Sequence, residues 1–327
     1  MVAACLGLWA DTAAAAQTKP KATPKATTSS SRAARTRRAR NRAAARAQAL
    51  REAQQPRFKI DDLGALVPDI RAEAAIVYNS ENGEVLWESN SQDLRSIASI
   101  TKVMTATVFL EEWPDLSEPV VVQRSDVRAA STTYLRAGYK VTKGDLLHLL
   151  LMASDNAAAR ALARVSSYGS TDFVVRMNAV AAELGLTSTS YADPSGLLSA
   201  NVSSAYDMAR LITYVSGDER IAGIMRKQTH AVATGRRAIT IRSTNQLVMN
   251  GDVDVQAGKT GFITKAGYCL ATLLRLPQGG PQVAVVVLGA KSNAGRFWET
   301  RHLFNWIAGQ AENLFGTALQ AATPASN

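Results

Sequence analysis

The sequence predicts an α+β fold: one antiparallel sheet formed from both ends of the folded domain, with a helical cluster between the two contributions. Three observations predict it. Near the start, apolar runs at 74–78 and 84–88 flank a loop ending in Asn82-Gly83, a hairpin signal. Near the end, runs at 268–276 and 282–288 flank Pro277-Gln278-Gly279-Gly280-Pro281. Between them lie segments of helical period at 99–112, 145–153, 156–165, 170–184 and 205–215.

Before the domain come two segments of different character. Residues 1–16 read as the back half of a secretory signal, a short apolar run followed by Ala14-Ala15-Ala16. The positively charged start of such a signal is missing. Either the true start lies upstream or the resemblance is accidental; export is the expectation. Val2-Ala3-Ala4-Cys5 lacks the apolar stretch that a lipidation box requires. Residues 17–60 are expected to form a basic, disordered linker, being rich in Pro, Lys, Thr and Ser and then in Ala and Arg. Its Arg/Ala half is able to turn helical on an anionic envelope surface.

The basicity belongs to that linker. Residues 17–58 hold twelve Lys or Arg and one acid, Glu52, whereas the remainder is net −1. A nucleic-acid-binding domain would carry its basic patch on the fold, so nucleic acid is not an expected partner. The catalytic domain is placed at 61–316 and a flexible tail at 317–327. Only Cys5 and Cys269 are present, and His148, His230 and His302 lie far apart. No disulfide, metal site or cofactor is called for.

Within the domain, a helix starting at Ser99 is stopped by Trp113-Pro114. A strand follows at 119–123, then the helices above, the last with Asp207 in its first turn. Short strands are expected at 239–241 and 246–249, and a closing helix at 296–315.

Three short patterns carry chemistry. Ser99 and Lys102 stand one helical turn apart, so the amine reaches the hydroxyl. A serine hydroxyl needs such a base, and a desolvated lysine supplies one. Backbone N–H groups at a helix start could also stabilise an oxyanion. Ser154-Asp155-Asn156 sits between two helices; Ser80-Glu81-Asn82, Ser199-Ala200-Asn201 and Ser243-Thr244-Asn245 share the pattern but read as turns. Lys259-Thr260-Gly261 occurs once, before the terminal hairpin. Each pattern alone arises readily by chance; the ordered set is far more specific.

In that order they resemble the penicillin-recognising acyl-serine enzymes, class A β-lactamases and penicillin-binding proteins. The flanks Ser96-Ile97-Ala98-Ser99-Ile100-Thr101-Lys102-Val103-Met104-Thr105-Ala106, Asp193-Pro194-Ser195-Gly196-Leu197 and Gly258-Lys259-Thr260-Gly261 resemble the low-molecular-mass D-alanyl-D-alanine peptidases of serine peptidase family S11. The resemblance covers about residues 66–312 and implies a β-lactamase/DD-peptidase-like fold. It implies Ser99 as the acylated nucleophile, Lys102 as base and Ser154 as proton relay. It places Asn156 on the substrate amide, Lys259 and Thr260 on its carboxylate, and Gly261 beside its backbone. The N–H groups of Ser99 and Phe262 would form the oxyanion hole. The Asp193-Pro194-Ser195-Gly196 turn would support the site.

The larger carboxypeptidases of the family add a β-rich domain and an anchor helix, while here only 22 residues follow Asn305. The resemblance therefore favours the penicillin-binding protein seven type, a D-alanyl-D-alanine endopeptidase, with carboxypeptidase activity as the near alternative. Peptidoglycan stem peptides would be its substrate and β-lactam antibiotics its covalent inhibitors, in the periplasm. Two other readings remain. A β-lactamase would need a glutamate in a loop after Ser154, and none is found there. A non-catalytic wall-binding protein would work through its basic linker alone.

Overall fold

The computed structural model describes residues 28–310. The signal-like segment, the tail and the end of the predicted closing helix lie outside them. Contacts divide the chain into two units at Glu52/Ala53. No described helix is long and apolar enough to cross a membrane.

In the first unit the described part of the expected linker is helical. Thr28–Gln54 is a helix, α1. It contains nine Ala and eight Arg, both strong helix formers. The side chains described along it are exposed, as the lack of large apolar residues implies. That lack says little about whether the backbone coils, which propensity decides here.

The second unit begins earlier than expected, with Phe58–Ile60 paired antiparallel to Leu66–Pro68. Its main sheet contains β1 (Ala74–Asn79), β2 (Val85–Ser89), β3 (Asp254–Ile263), β4 (Gly267–Arg275) and β5 (Gln282–Ala290). The strands are antiparallel in the order β3-β4-β5-β1-β2, so the two ends of the domain meet where β5 pairs with β1. β5 is buried on both faces. Val283, Val285 and Val287 face the closing helix α7 (Asn293–Gly309) through Phe297, Leu303, Phe304 and Ile307. Ala284, Val286 and Leu288 face the helical cluster, as the two-residue period of a strand requires.

At the centre of that cluster α2 (Lys102–Glu111) is buried along nearly its whole length, its apolar residues spread around the helix rather than along one stripe. It packs against α3 (Lys143–Leu151), α4 (Asn156–Val165), α5 (Gly169–Glu183) and α6 (Ala205–Ser216).

Three local expectations change. Ser99 lies in a 3-10 turn, Ala98–Thr101, and the α-helix proper starts at Lys102. The expected strand at 246–249 is a short helix, Gln246–Asn250. Asn245 caps it by accepting from the Leu247 N–H, and Gly251 closes it at φ 67°. A four-residue apolar run fits either period; the cap residues decide. Finally, β3 went unpredicted because Gly258-Lys259-Thr260-Gly261 breaks the apolar alternation. It is nonetheless a ten-residue strand at the open edge of the sheet. The expected strand at 119–123 is Pro119–Val121, paired with Lys140–Thr142, and that at 239–241 is Ala238–Arg242, paired with Thr229–Ala233.

Candidate active site

Ser99 sits on the turn that crosses the edge strand β3. A Cβ added at Gly261 would lie 2.7 Å from the Ile97 carbonyl oxygen and 3.2 Å from the Ser99 nitrogen. The small residue is what lets the two backbones approach this closely.

Lys102 is completely buried beneath the serine. Its Nζ lies 2.8 Å from Ser99 Oγ and 2.7 Å from Asn156 Oδ1, and it also donates to the Ser195 carbonyl oxygen. The Asn156 amide is held in that orientation because its Nδ2 donates to the Ala130 carbonyl at 2.7 Å. Two of the three partners can therefore only accept. A neutral amine has two N–H groups for them and one lone pair left, directed at the serine hydroxyl. Burial lowers the Lys102 pKa to about 7, although Asp193 and Asp155 pull it upward.

The 193–196 turn supplies the third partner. Burial alone would raise the Asp193 pKa, but hydrogen bonds from Ser195, Leu198 and Asn201 prevail and hold it below the usual carboxylate range. Thr105 Oγ1 donates to the Pro194 carbonyl at 2.6 Å, fastening the turn to α2.

Ser154 joins α3 to α4 at φ 58°, a left-handed conformation that is costly for a serine and tends to mark functional positions. Lys259 Nζ, buried within β3, donates to Ser154 Oγ and to the Thr260 carbonyl, both at 2.9 Å. Burial, then the positive charges of Lys102 and Arg296, pushes the Lys259 pKa well below its ordinary value. Thr260 Oγ1 and Thr244 Oγ1 are 2.6 Å apart. Phe262 is half exposed and stacks on Tyr268 with centroids 4.2 Å apart. A cavity of about 520 Å³ opens over Ser99, Ser154, Asn156, Thr260, Gly261 and Phe262, with both lysines beneath its floor.

All eight residues singled out in the sequence thus converge on one cleft between the sheet edge and the helical cluster. Of the four Ser-x-Asn patterns, only the one at 154 has its serine and its asparagine each bonded to a site lysine. Sequence reasoning missed three contributors. Asp155 is wholly buried; it caps α4 and accepts from Tyr134 N and Thr133 Oγ1 at 2.6 and 3.0 Å. Thr244 belongs to one of the Ser-x-Asn patterns read as a turn. Arg296 lines the cavity and donates to the Gly261 carbonyl at 2.9 Å. Asp155 could have been found as a cap residue ahead of a helix; Thr244 and Arg296 left no local signal.

A serine hydrogen-bonded to a buried lysine, with a second buried lysine behind it at the edge of an antiparallel sheet, brings together the groups that an acyl-serine hydrolase needs. The chain belongs to the D-alanyl-D-alanine carboxypeptidase family, peptidase S11, whose profile matches residues 62–292. It is accordingly a serine-type D-alanyl-D-alanine peptidase of the penicillin-binding class. The chain is 33% identical to a D-alanyl-D-alanine endopeptidase of Pseudomonas aeruginosa, over 80% of this chain and 83% of the relative. To the Escherichia coli D-alanyl-D-alanine endopeptidase it is 32% identical, over 73% and 78%. Among solved structures it resembles a D-alanyl-D-alanine carboxypeptidase from Mycobacterium tuberculosis, with TM-score 0.68 and 27% identity over 75% of this chain and 93% of the other. It also resembles penicillin-binding protein D2 of Listeria monocytogenes in its cefotaxime-bound form, with TM-score 0.65 and 30% identity over 72% and 97%.

Proposed function

We propose that this protein is an endopeptidase of peptidoglycan cross-links acting outside the cytoplasm, with Ser99 as nucleophile and Lys102 as its base. The observation that carries this is the Lys102 hydrogen-bond set, which leaves only the amine lone pair for the Ser99 hydroxyl.

In this reading Lys102 takes the hydroxyl proton as Ser99 Oγ attacks the carbonyl carbon of the scissile D-alanyl bond. The tetrahedral oxyanion accepts from the N–H groups of Ser99 and Phe262. When it collapses, the proton taken by Lys102 passes through Ser154, which Lys259 holds in place, to the leaving amine, and Lys102 is neutral again. Water, deprotonated by Lys102, then releases the acyl group and restores the serine. The substrate chain pairs with the free edge of β3 at Gly261, its amide on Asn156 and its carboxylate towards Lys259 and Thr260. That carboxylate would draw the Lys259 pKa back up and restore its charge. β-Lactams would acylate the same serine.

The preference for cross-links is supported by the endopeptidases matched over 78–83% of their length. The carboxypeptidases among the curated relatives are matched over only 61–63%. Around the catalytic domain, residues 1–16 would serve as a leader, and α1 would lie against anionic envelope polymers through arginines such as Arg35, Arg38 and Arg42.

The test is digestion of purified muropeptides beside labelling with a fluorescent penicillin. Cleavage of cross-linked dimers and a stable penicilloyl adduct on Ser99, both lost in Ser99→Ala, are expected. Release of D-alanine from monomers with dimers left intact would overturn the endopeptidase reading. An unlabelled Ser99 would overturn its role, and rapid turnover of penicillin would point to a β-lactamase.

A further inference from the structure

A second cavity, of about 370 Å³, adjoins the first along the hairpin between β3 and β4. Phe262 and Thr264 line both, so the two form neighbouring compartments on either side of one half-exposed aromatic ring. Its walls include Glu73, Arg95, Lys265, Tyr268 and Lys291. The single carboxylate among these charges is already engaged, since Lys291 donates to Glu73. Arg95 also feels the charge of Glu73, but neither it nor Lys265 has an ion-pair partner within 4 Å among the described residues.

Arg95 is the telling residue. It lies four positions before Ser99 in a two-residue strand, Arg95–Ser96, paired with Val202–Ser203, so its backbone is fixed relative to the nucleophile. Its side chain is half-buried, and its Nε is buried with no hydrogen-bond partner. Buried donors are almost always satisfied, and one that is not calls for a ligand or another specific cause. Gly289, at φ 75°, leaves the space directly beside the guanidinium open. A Cβ there would lie 2.7 Å from Glu73 Cγ and 3.2 Å from an Arg95 terminal nitrogen. Guanidinium presents a planar fork of donors matched to a carboxylate, and the stacked Phe262–Tyr268 pair offers an apolar wall alongside.

We infer that this compartment is a subsite for a second carboxylate of the peptide substrate, remote from the bond being cut, held by Arg95 with help from Lys265. The inference rests on the proposed peptidase reading and deepens it. The enzyme would prefer stem peptides bearing a free side-branch carboxylate over those in which that group is amidated.

The test compares two purified cross-linked muropeptide dimers, alike except that one carries the free carboxylate and the other its amide. With the full chain, the free-acid dimer is expected to show the lower KM. Arg95→Gln should raise that KM about tenfold, the effect of losing one charge-assisted hydrogen bond. kcat, the amidated dimer and the rate of penicillin acylation should each change less than twofold. Arg95→Lys should recover part of the loss. If Arg95→Gln fails to fold, Lys265→Gln on the exposed hairpin should move the free-acid KM in the same direction by a smaller factor. Equal losses on both dimers, or none on either, would overturn the subsite and leave the peptidase reading standing. Failure of the unaltered protein to cut either dimer would overturn both.

Discussion

Gly196 and Ala98 meet backbone to backbone: a Cβ built on Gly196 would lie 2.0 Å from the Ala98 carbonyl oxygen. Both have positive φ, 76° and 48°. The contact presses the turn that offers the Ser195 carbonyl to Lys102 against the turn that carries Ser99. Gly196→Ala cannot be accommodated without parting the two. We expect penicillin acylation to fall about 100-fold, the scale of an ångström misplacement of reacting groups, with a lower thermal midpoint. Stopped-flow acylation kinetics check this; a near-normal rate would show that the turns are not coupled.

The Lys102 amine must be neutral to take the Ser99 proton. With its pKa lowered to about 7 by burial, the acylation rate should climb about tenfold per pH unit below 7 and level off above it. Lys102→Arg keeps the charge at every accessible pH and should be inactive throughout. A profile still climbing towards pH 10 would mean that the amine is not desolvated in solution.

Asp155 ties two elements together through three donors to one buried carboxylate: the Ala158 N–H at the start of α4, and the Tyr134 N–H and Thr133 hydroxyl of the 133–134 loop. Asp155→Ala strands these donors and removes a helix cap. The cost should be about 3 kcal/mol, a fall of roughly 6–12 °C in Tm for a domain of this size. Asp155 also pulls the Lys102 pKa upward. The variant should therefore shift the acylation midpoint below that of the unaltered protein, and a midpoint that stays put would deny Asp155 an electrostatic role.

The sheet ends and most helices were legible because their apolar periods are long and bounded by Asn-Gly, Trp-Pro or Pro/Gly loops. β3 was not. Its Gly258 and Gly261 exist to admit neighbouring groups, so the residues that make it functional erase the alternation that marks a strand. The same holds at Ser99. A helix start was legible, but the 3-10 turn has Ala98 at positive φ, packed against Gly196 ninety-eight positions away. The Ser-x-x-Lys, Ser-x-Asn and Lys-Thr-Gly residues could be read as a set because their spacing and order survive in one dimension. Arg296 and Thr244 could not, because each reaches the cleft only through the fold. In α1 the missing apolar face reports on burial, while the Ala and Arg content decides the helix.

His148 makes a last prediction, away from the cleft. Its ring stacks on His230 with centroids 3.7 Å apart, and its Nδ1 lies 2.8 Å from the Gly144 carbonyl oxygen. Its Nε2 lies 2.9 Å from Lys227 Nζ. This arrangement suits a neutral ring that donates from Nδ1 and accepts at Nε2. Burial above all, then the charges of His230 and Lys227, lowers its pKa to about 4, against the opposing pull of Gly144 and Asp145. In the unfolded chain the ring titrates near 6.5. Between about pH 4 and 6.5 the unfolded state therefore binds more protons, so stability rises with pH across that window and is lost as pH falls through it. His148→Leu should be less stable than the unaltered protein at pH 7, with the gap narrowing by pH 4.5 because the variant has no ring to protonate. Urea midpoints at the two pH values decide it, and parallel acid losses in the two proteins would show that this ring carries none of the pH dependence.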